Sequence, residues 1–200
     1  MQPRKEFPQG EEYLKSLMRE TARMSFPGRM SGVVCGGIKK RVEEYFIDCF
    51  PVEDVSTNAI RIAKKFDQWH EKRVRELADH IKRFIRKNKN CSSHAIAAKF
   101  LNLFLYQLQK HEPFRPLWKR LHLPLDRQIL MQLEGLKIEP GSIALAKLEK
   151  NLHKRAYKLR YAEYKQIQDI LFEYLDELNK KSRSEPSLSS RVQLNLLWAK

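Results

Sequence analysis

The sequence predicts an all-α fold, and three observations carry that expectation. Apolar residues recur at intervals of three and four along much of the 200-residue chain, the period of helices with one buried face. Only 7 glycines and 9 prolines are spread along it, fewer turn signals than a many-stranded sheet needs. With 42% hydrophobic and 10% aromatic residues, the chain can bury a core, which excludes wholesale disorder. Its length suits one compact domain or two small lobes sharing a cleft.

The first helix is expected over Glu11–Arg23, with Tyr13, Leu14, Leu17 and Met18 on one face, and Pro27-Gly28 breaks it. A second is expected over Ile38–Cys49, reached through Ser31-Gly32-Val33-Val34-Cys35-Gly36-Gly37. Those glycines serve either a loop that lets a ligand come close or a tight helix–helix contact. After Pro51, a short helix near Thr57–Phe66 leads into a stronger one over Trp69–Lys87. There Val74, Leu77, Ala78, Ile81, Phe84 and Ile85 make the buried stripe, and Lys72, Arg75, Lys82, Arg83, Arg86 and Lys87 the outer face. Ser92 or Ser93 then offers an N-cap.

The segment Ala95–Leu108 is apolar on all sides and belongs in the middle of the fold. Its single charge is Lys99, with Asn102 one turn further on. Either Lys99 faces a cleft or its ammonium snorkels to the surface. A polar, proline-marked connection (His111–Pro116) and a short basic stretch (Leu117–Arg120) follow. Asp126 is placed to cap a helix Arg127–Leu133, which Gly135 ends. Beyond Pro140-Gly141 a last helical section runs from Ser142 to Asn179, basic in its first part from Lys147 to Arg160. Lys180–Ser190 reads as a linker, and Arg191–Lys200 as a tail whose Leu194, Leu196, Leu197 and Trp198 dock back. Residues 1–180 thus make one all-helical domain with a middle lobe over 69–136, and residues 181–200 a linker and tail.

Thirty-nine Lys and Arg against 24 Asp and Glu leave a net charge of +15. Such a surplus attracts polyanions. A membrane surface is the weaker match, because no helix pairs a cationic face with a Trp- or Phe-rich one. No stretch is long and apolar enough to span a bilayer, and the first residues lack a signal-peptide core. Cys35, Cys49 and Cys91 form no Cys-x-x-Cys pair and the 6 histidines do not cluster. Neither a disulfide framework, a metal centre nor a cofactor is expected, and the location expected is a reducing cytoplasm. The partner this points to is nucleic acid, duplex DNA or RNA, with a merely soluble basic surface as the plain alternative.

The residues that carry chemistry on this reading are Lys99, Asn102 and Asp126. A lysine relieved of its proton by burial can form a Schiff base with a sugar aldehyde. A carboxylate nearby can stabilise an oxocarbenium-like sugar or activate water. The plain alternatives are an N-cap for Asp126 and a snorkelling side chain for Lys99.

Ala98-Lys99-Phe100-Leu101-Asn102, followed by Leu125-Asp126-Arg127-Gln128-Ile129, resembles the central part of the helix-hairpin-helix DNA glycosylase superfamily over roughly 69–136. That resemblance implies two helical lobes around a cleft, with Asp126 as the catalytic aspartate and Lys99 at the position of the lyase nucleophile in bifunctional members. The glycine-rich hairpin of the superfamily is replaced here by Lys89–His94, which contains no glycine. Phosphate binding would then rest on Lys82, Arg83, Arg86, Lys87, Lys89, Ser92 and Ser93. Asn102, His94, Trp69, Phe104, Tyr106, Trp118 and His122 are the pocket candidates; core packing is the plain alternative for the aromatics, and an ordinary structural role for the two histidines.

The function expected is excision of a damaged or modified base by flipping it from the stack and cleaving its glycosidic bond. A hypermodified phage base, removed in antiviral defence, is one such substrate. Two rivals are a non-catalytic nucleic-acid-binding module and an assembly protein that docks through Leu194–Trp198.

Overall fold

A computed structural model of the chain describes residues 11–24, 34–86, 91–125, 129–131, 156–181 and 190. Helices dominate these residues, and the fold is all-α. The chain runs through α1 (Glu11–Met24), α2 (Ile38–Glu44), α3 (Val52–Lys64), α4 (Phe66–Ile81), α5 (Ser93–Leu108) and α6 (Tyr161–Lys181). Short 3-10 segments cover Lys82–Phe84, Glu112–Arg120 and Ala156–Lys158. The one β-type pairing among the described residues is an isolated antiparallel bridge between Val34 and Ile85.

Several boundaries differ from the sequence reading, each for a local reason. The second helix keeps α-geometry only to Glu44, and Tyr45–Cys49 form a π-turn. Its signature is the bond from the Phe50 amide back to the Tyr45 carbonyl, at 2.9 Å. Phe50 itself is extended, as a residue before proline prefers. The third helix starts at Val52, immediately after Pro51, five residues before Thr57. The fourth ends at Ile81 rather than Lys87, because Ile85 leaves the helix to pair with Val34.

The expected connection His111–Pro116 is instead the beginning of a 3-10 helix. The last helical section is not continuous from Ser142. A 3-10 turn at Ala156–Lys158 and two non-helical residues precede α6. The tail Arg191–Lys200 and most of the linker lie outside the described residues, although Ser190 is enclosed.

Gly37 answers the question of the glycine stretch. It takes φ +86°, the left-handed conformation that favours glycine, and stands before α2. A Cβ there would meet the Phe84 ring at 3.4 Å. At Gly37 the observed setting is close packing, whereas a Cβ at Gly36 would meet nothing within 4 Å.

The core is organised around α5. Ala95 to Ala98, Phe100, Leu101, Phe104, Leu105 and Leu108 are all buried, as the all-round apolar pattern predicts. Phe104 stacks on Phe46 with ring centroids 3.9 Å apart, and Phe50 closes edge-on at 5.1 Å. Burying each such ring contributes roughly 1.5–3 kcal/mol. Helices α4 and α1 both pack against α5. No described helix is long and apolar enough to cross a membrane.

Candidate functional site

Position Asp126 falls outside the described residues, as do Lys87 and Lys89. Lys99 does not: it sits on α5, partly exposed on a helix that is otherwise mostly buried. Asn102, one turn on, is turned inward and buried. The structure therefore sends the two neighbours to different environments.

Asn102 is the hub of a polar network that crosses the α4–α5–α6 interface. Its Oδ1 lies 2.8 Å from His70 Nε2, and its Nδ2 donates to the Tyr164 hydroxyl at 2.5 Å. Tyr164 Oη is 3.1 Å from His122 Nδ1, whose ring reaches Asp67 Oδ1 through Nε2 at 2.9 Å. At the other end His70 Nδ1 meets the Tyr161 hydroxyl at 3.1 Å. Both imidazoles are fully buried, with centroids 4.3 Å apart.

The chemistry of the partners assigns the hydrogens. An amide oxygen only accepts, so His70 Nε2 carries the proton and Nδ1 accepts from Tyr161. Tyr164 accepts from Asn102 and gives its own hydrogen to His122 Nδ1. His122 Nε2–H then donates to Asp67. With these assignments every bond in the chain pairs a donor with an acceptor. Two imidazolium ions this close would repel strongly in so dry a place.

The sequence supplies this network through helical spacing. Asp67 and His70 are three apart on α4, and Tyr161, Tyr164, Lys165 and Gln168 share a face of α6. Gln168 holds the backbone of Leu123 with both ends of its amide: Nε2 donates to the Leu123 carbonyl at 2.7 Å, and Oε1 accepts from its amide at 2.9 Å. That clamp fixes the chain next to His122. His122 was expected as a pocket donor; the structure places it inside, facing Asp67 and Tyr164.

Asp67 is where the network reaches water. Its side chain is 49% exposed, and its second oxygen lies 3.2 Å from Lys165 Nζ, which also pairs with Asp169. The hydrogen bond from His122 and the nearby Lys165 ammonium hold the Asp67 carboxyl well below the usual carboxylate range. It is thus a fixed anion at neutral pH and a weak proton acceptor. Burial pushes the Tyr161 phenol up from its ordinary value, with the neighbouring carboxylates adding to the effect.

Asp67 also lines a cleft of about 450 Å³. Its walls include Lys64, Lys65 and Phe66 from the α3–α4 junction, Gln68, Arg120 at the end of the 3-10 segment, and Asp169 and Phe172 from α6. In the sequence Arg120 stands out only as the end of a basic stretch, and the other acidic and basic members of this cleft carry no signal of their own. The available signal was the pairing of Lys64-Lys65 with Asp67 and an aromatic, obscured because the helix was expected to begin at Trp69.

The remaining candidates are dispersed. Phe104 is in the core stack, Trp69 packs edge-on to Phe50, and Trp118 lies beside Tyr106. His94 is partly buried in the first turn of α5. Ser92 is the N-cap: its hydroxyl accepts from the Ala95 amide at 3.3 Å, and its own amide donates to the Tyr157 carbonyl. Ser93 opens the helix. Lys82 and Arg83 are exposed, Lys82 being paired with Asp79, and Arg86 Nε donates to the Val34 carbonyl. Among the described residues no group of three or more His, Cys, Asp or Glu is arranged to hold a metal. No family model matches the chain, and no characterised protein or solved structure is significantly similar to it.

Proposed function

We propose that this protein binds nucleic acid, with duplex DNA as the first partner to test, through basic side chains displayed around its helical core. The observation that carries the reading is the net charge of +15, with Lys40, Lys64, Lys72, Arg83, Lys119 and Lys158 among the exposed cations. Basic side chains outnumber acidic ones among the exposed described residues. Cations that neutralise phosphates release condensed counterions, so affinity of this kind falls steeply as salt rises. Fluorescence anisotropy with a labelled duplex and with single strands tests the proposal. Submicromolar binding at low salt is expected, and its absence there would remove the reading.

Base excision is the more specific form, and it rests on the partial exposure of Lys99, which shares a partly exposed face of α5 with Leu103, Tyr106 and Gln107. In this form two helical lobes hold the duplex across a cleft and Asp126 assists departure of the base. Lys99 then attacks the sugar. A damaged base, or a hypermodified base of phage DNA in antiviral defence, would be the substrate. Asn102, His122 and Phe104 are engaged in the interior, which makes plain binding the better supported form. Abasic sites produced by the wild type and lost in Asp126→Asn are the expected result for excision, and borohydride trapping lost in Lys99→Ala would assign the nucleophile. Tight binding with no base released from any substrate would leave the binding module alone.

A further inference from the structure

The cleft beside Asp67 combines three kinds of group that few ligands satisfy together. Lys64, Lys65 and Arg120 supply positive charge, Phe172 supplies aromatic surface beside the largely buried Phe66, and Asp67 and Asp169, both paired with Lys165, supply anionic acceptors. Its volume of about 450 Å³ falls within the range of small-ligand sites, roughly 300–1,000 Å³. A bare phosphate would meet the cations but also two carboxylates that repel it. An apolar ligand would leave all the charges desolvated. The ligand that fits carries an anionic group at one end and a flat ring with N–H donors at the other.

We propose that this cleft binds a nucleoside monophosphate unit. The phosphate sits on Lys64, Lys65 and Arg120, and the base lies against Phe172 with its N–H groups toward Asp67. The buried network explains why Asp67 suits that task. His122 and Lys165 each take one direction on its two oxygens, and a carboxylate has about four acceptor directions in all. Its orientation is fixed from behind by His122, which Tyr164 holds in turn. The low proton affinity of Asp67 keeps it an acceptor across the physiological range. Uracil and thymine offer it only an N3–H flanked by two carbonyl oxygens that a carboxylate repels, so bases with exocyclic amino groups are favoured.

This inference deepens the nucleic-acid reading, since the unit can be a free nucleotide or the terminal residue of a strand. The test is calorimetric titration of the full chain with the four ribonucleoside monophosphates, the matching nucleosides and inorganic phosphate. Monophosphates bearing an amino group are expected to bind at least about tenfold tighter than either fragment alone, a difference of roughly 1.4 kcal/mol. The double variant Lys64→Ala/Lys65→Ala, both positions being exposed, is expected to lose about tenfold for nucleotides. Asp67→Asn is expected to remove the preference over uridine monophosphate while phosphate-dependent binding persists.

Short single strands with and without a 5′-phosphate identify the source. Displacement of the nucleotide by the phosphorylated strand places a strand end in the cleft, and displacement by neither strand makes a free nucleotide the ligand. Nucleotide affinity no better than that of inorganic phosphate would overturn the proposal. If that happens while salt-sensitive duplex binding persists, the cleft assignment alone is wrong. Loss of both would remove the nucleic-acid reading as well.

Discussion

The two sides of α5 are built on opposite principles. Toward the π-turn the helix presents Phe104 to Phe46 and Phe50, a stack with no polar atom in it. Toward α4 and α6 it presents Asn102 to His70 and Tyr164. The first side gains stability from area and tolerates any ring that fills the space. The second gains little net energy from each hydrogen bond, but a partner left unpaired is heavily penalised. A truncation on the apolar side removes contacts. On the polar side it strands donors and acceptors, and it disturbs the one carboxylate that the network delivers to the cleft.

Four substitutions sharpen that contrast. The largest effect is expected from Phe104→Ala, which opens a cavity in the stack and destabilises the fold by about 4 kcal/mol. In a chain of this size that lowers the thermal midpoint by about 10 °C, as calorimetry or circular dichroism would record. Asn102→Ala deletes fewer atoms yet is expected to cost about 3 kcal/mol, because the His70 Nε2–H and the Tyr164 hydroxyl each lose a partner. Near-wild-type stability in this variant would mean that the network is not closed as described.

Gln168→Glu is expected to cost about 2 kcal/mol, since the Leu123 carbonyl would face a carboxylate oxygen instead of an N–H donor. Denaturant unfolding, with the slope checked for constancy, measures it. The smallest effect belongs to Asp67→Asn and is one of pH. Because the Asp67 carboxyl is held below its ordinary value, the stability it supplies is complete above the unfolded value of roughly 4. That stability disappears as pH falls further, toward the lowered folded value. Thermal midpoints recorded from pH 7 downward are expected to fall less steeply below about pH 4 in the variant than in the wild type. Parallel curves would contradict the linkage of Asp67 to His122 and Lys165.

The contrast also explains what the sequence made legible. The apolar side of α5 was readable because hydrophobic periodicity reports burial directly, and the stretch from Ala95 to Leu108 holds one charge. Ser92 was readable as a cap for a similar reason, since its chemistry is local. The polar network was not readable. His70, His122 and Tyr164 come from three segments, and the links of the network span 32 to 91 residues. Nothing in the local pattern tells a buried histidine from an exposed one.

Asn102 was noticed, but for its spacing from Lys99. The structure gives it a different role, in the interior. The π-turn follows locally from Pro51 holding Phe50 extended, whereas the early end of α4 depends on a tertiary event, Val34 pairing with Ile85. The cleft escaped for the same reason, its walls being drawn from the α3–α4 junction, the end of a 3-10 segment and α6.

The measurement that bears most directly on the central claim is the affinity for a 20-base-pair duplex over a series of salt concentrations. The logarithm of the association constant is expected to fall linearly with the logarithm of salt, with a slope near −0.9 for each phosphate neutralised. A slope steeper than about −3, made shallower in Lys82→Ala/Arg83→Ala/Arg86→Ala, would show several cations at work on the backbone. Weak binding with a slope near zero would contradict the account, because the charge of +15 would then have no polyanion to serve.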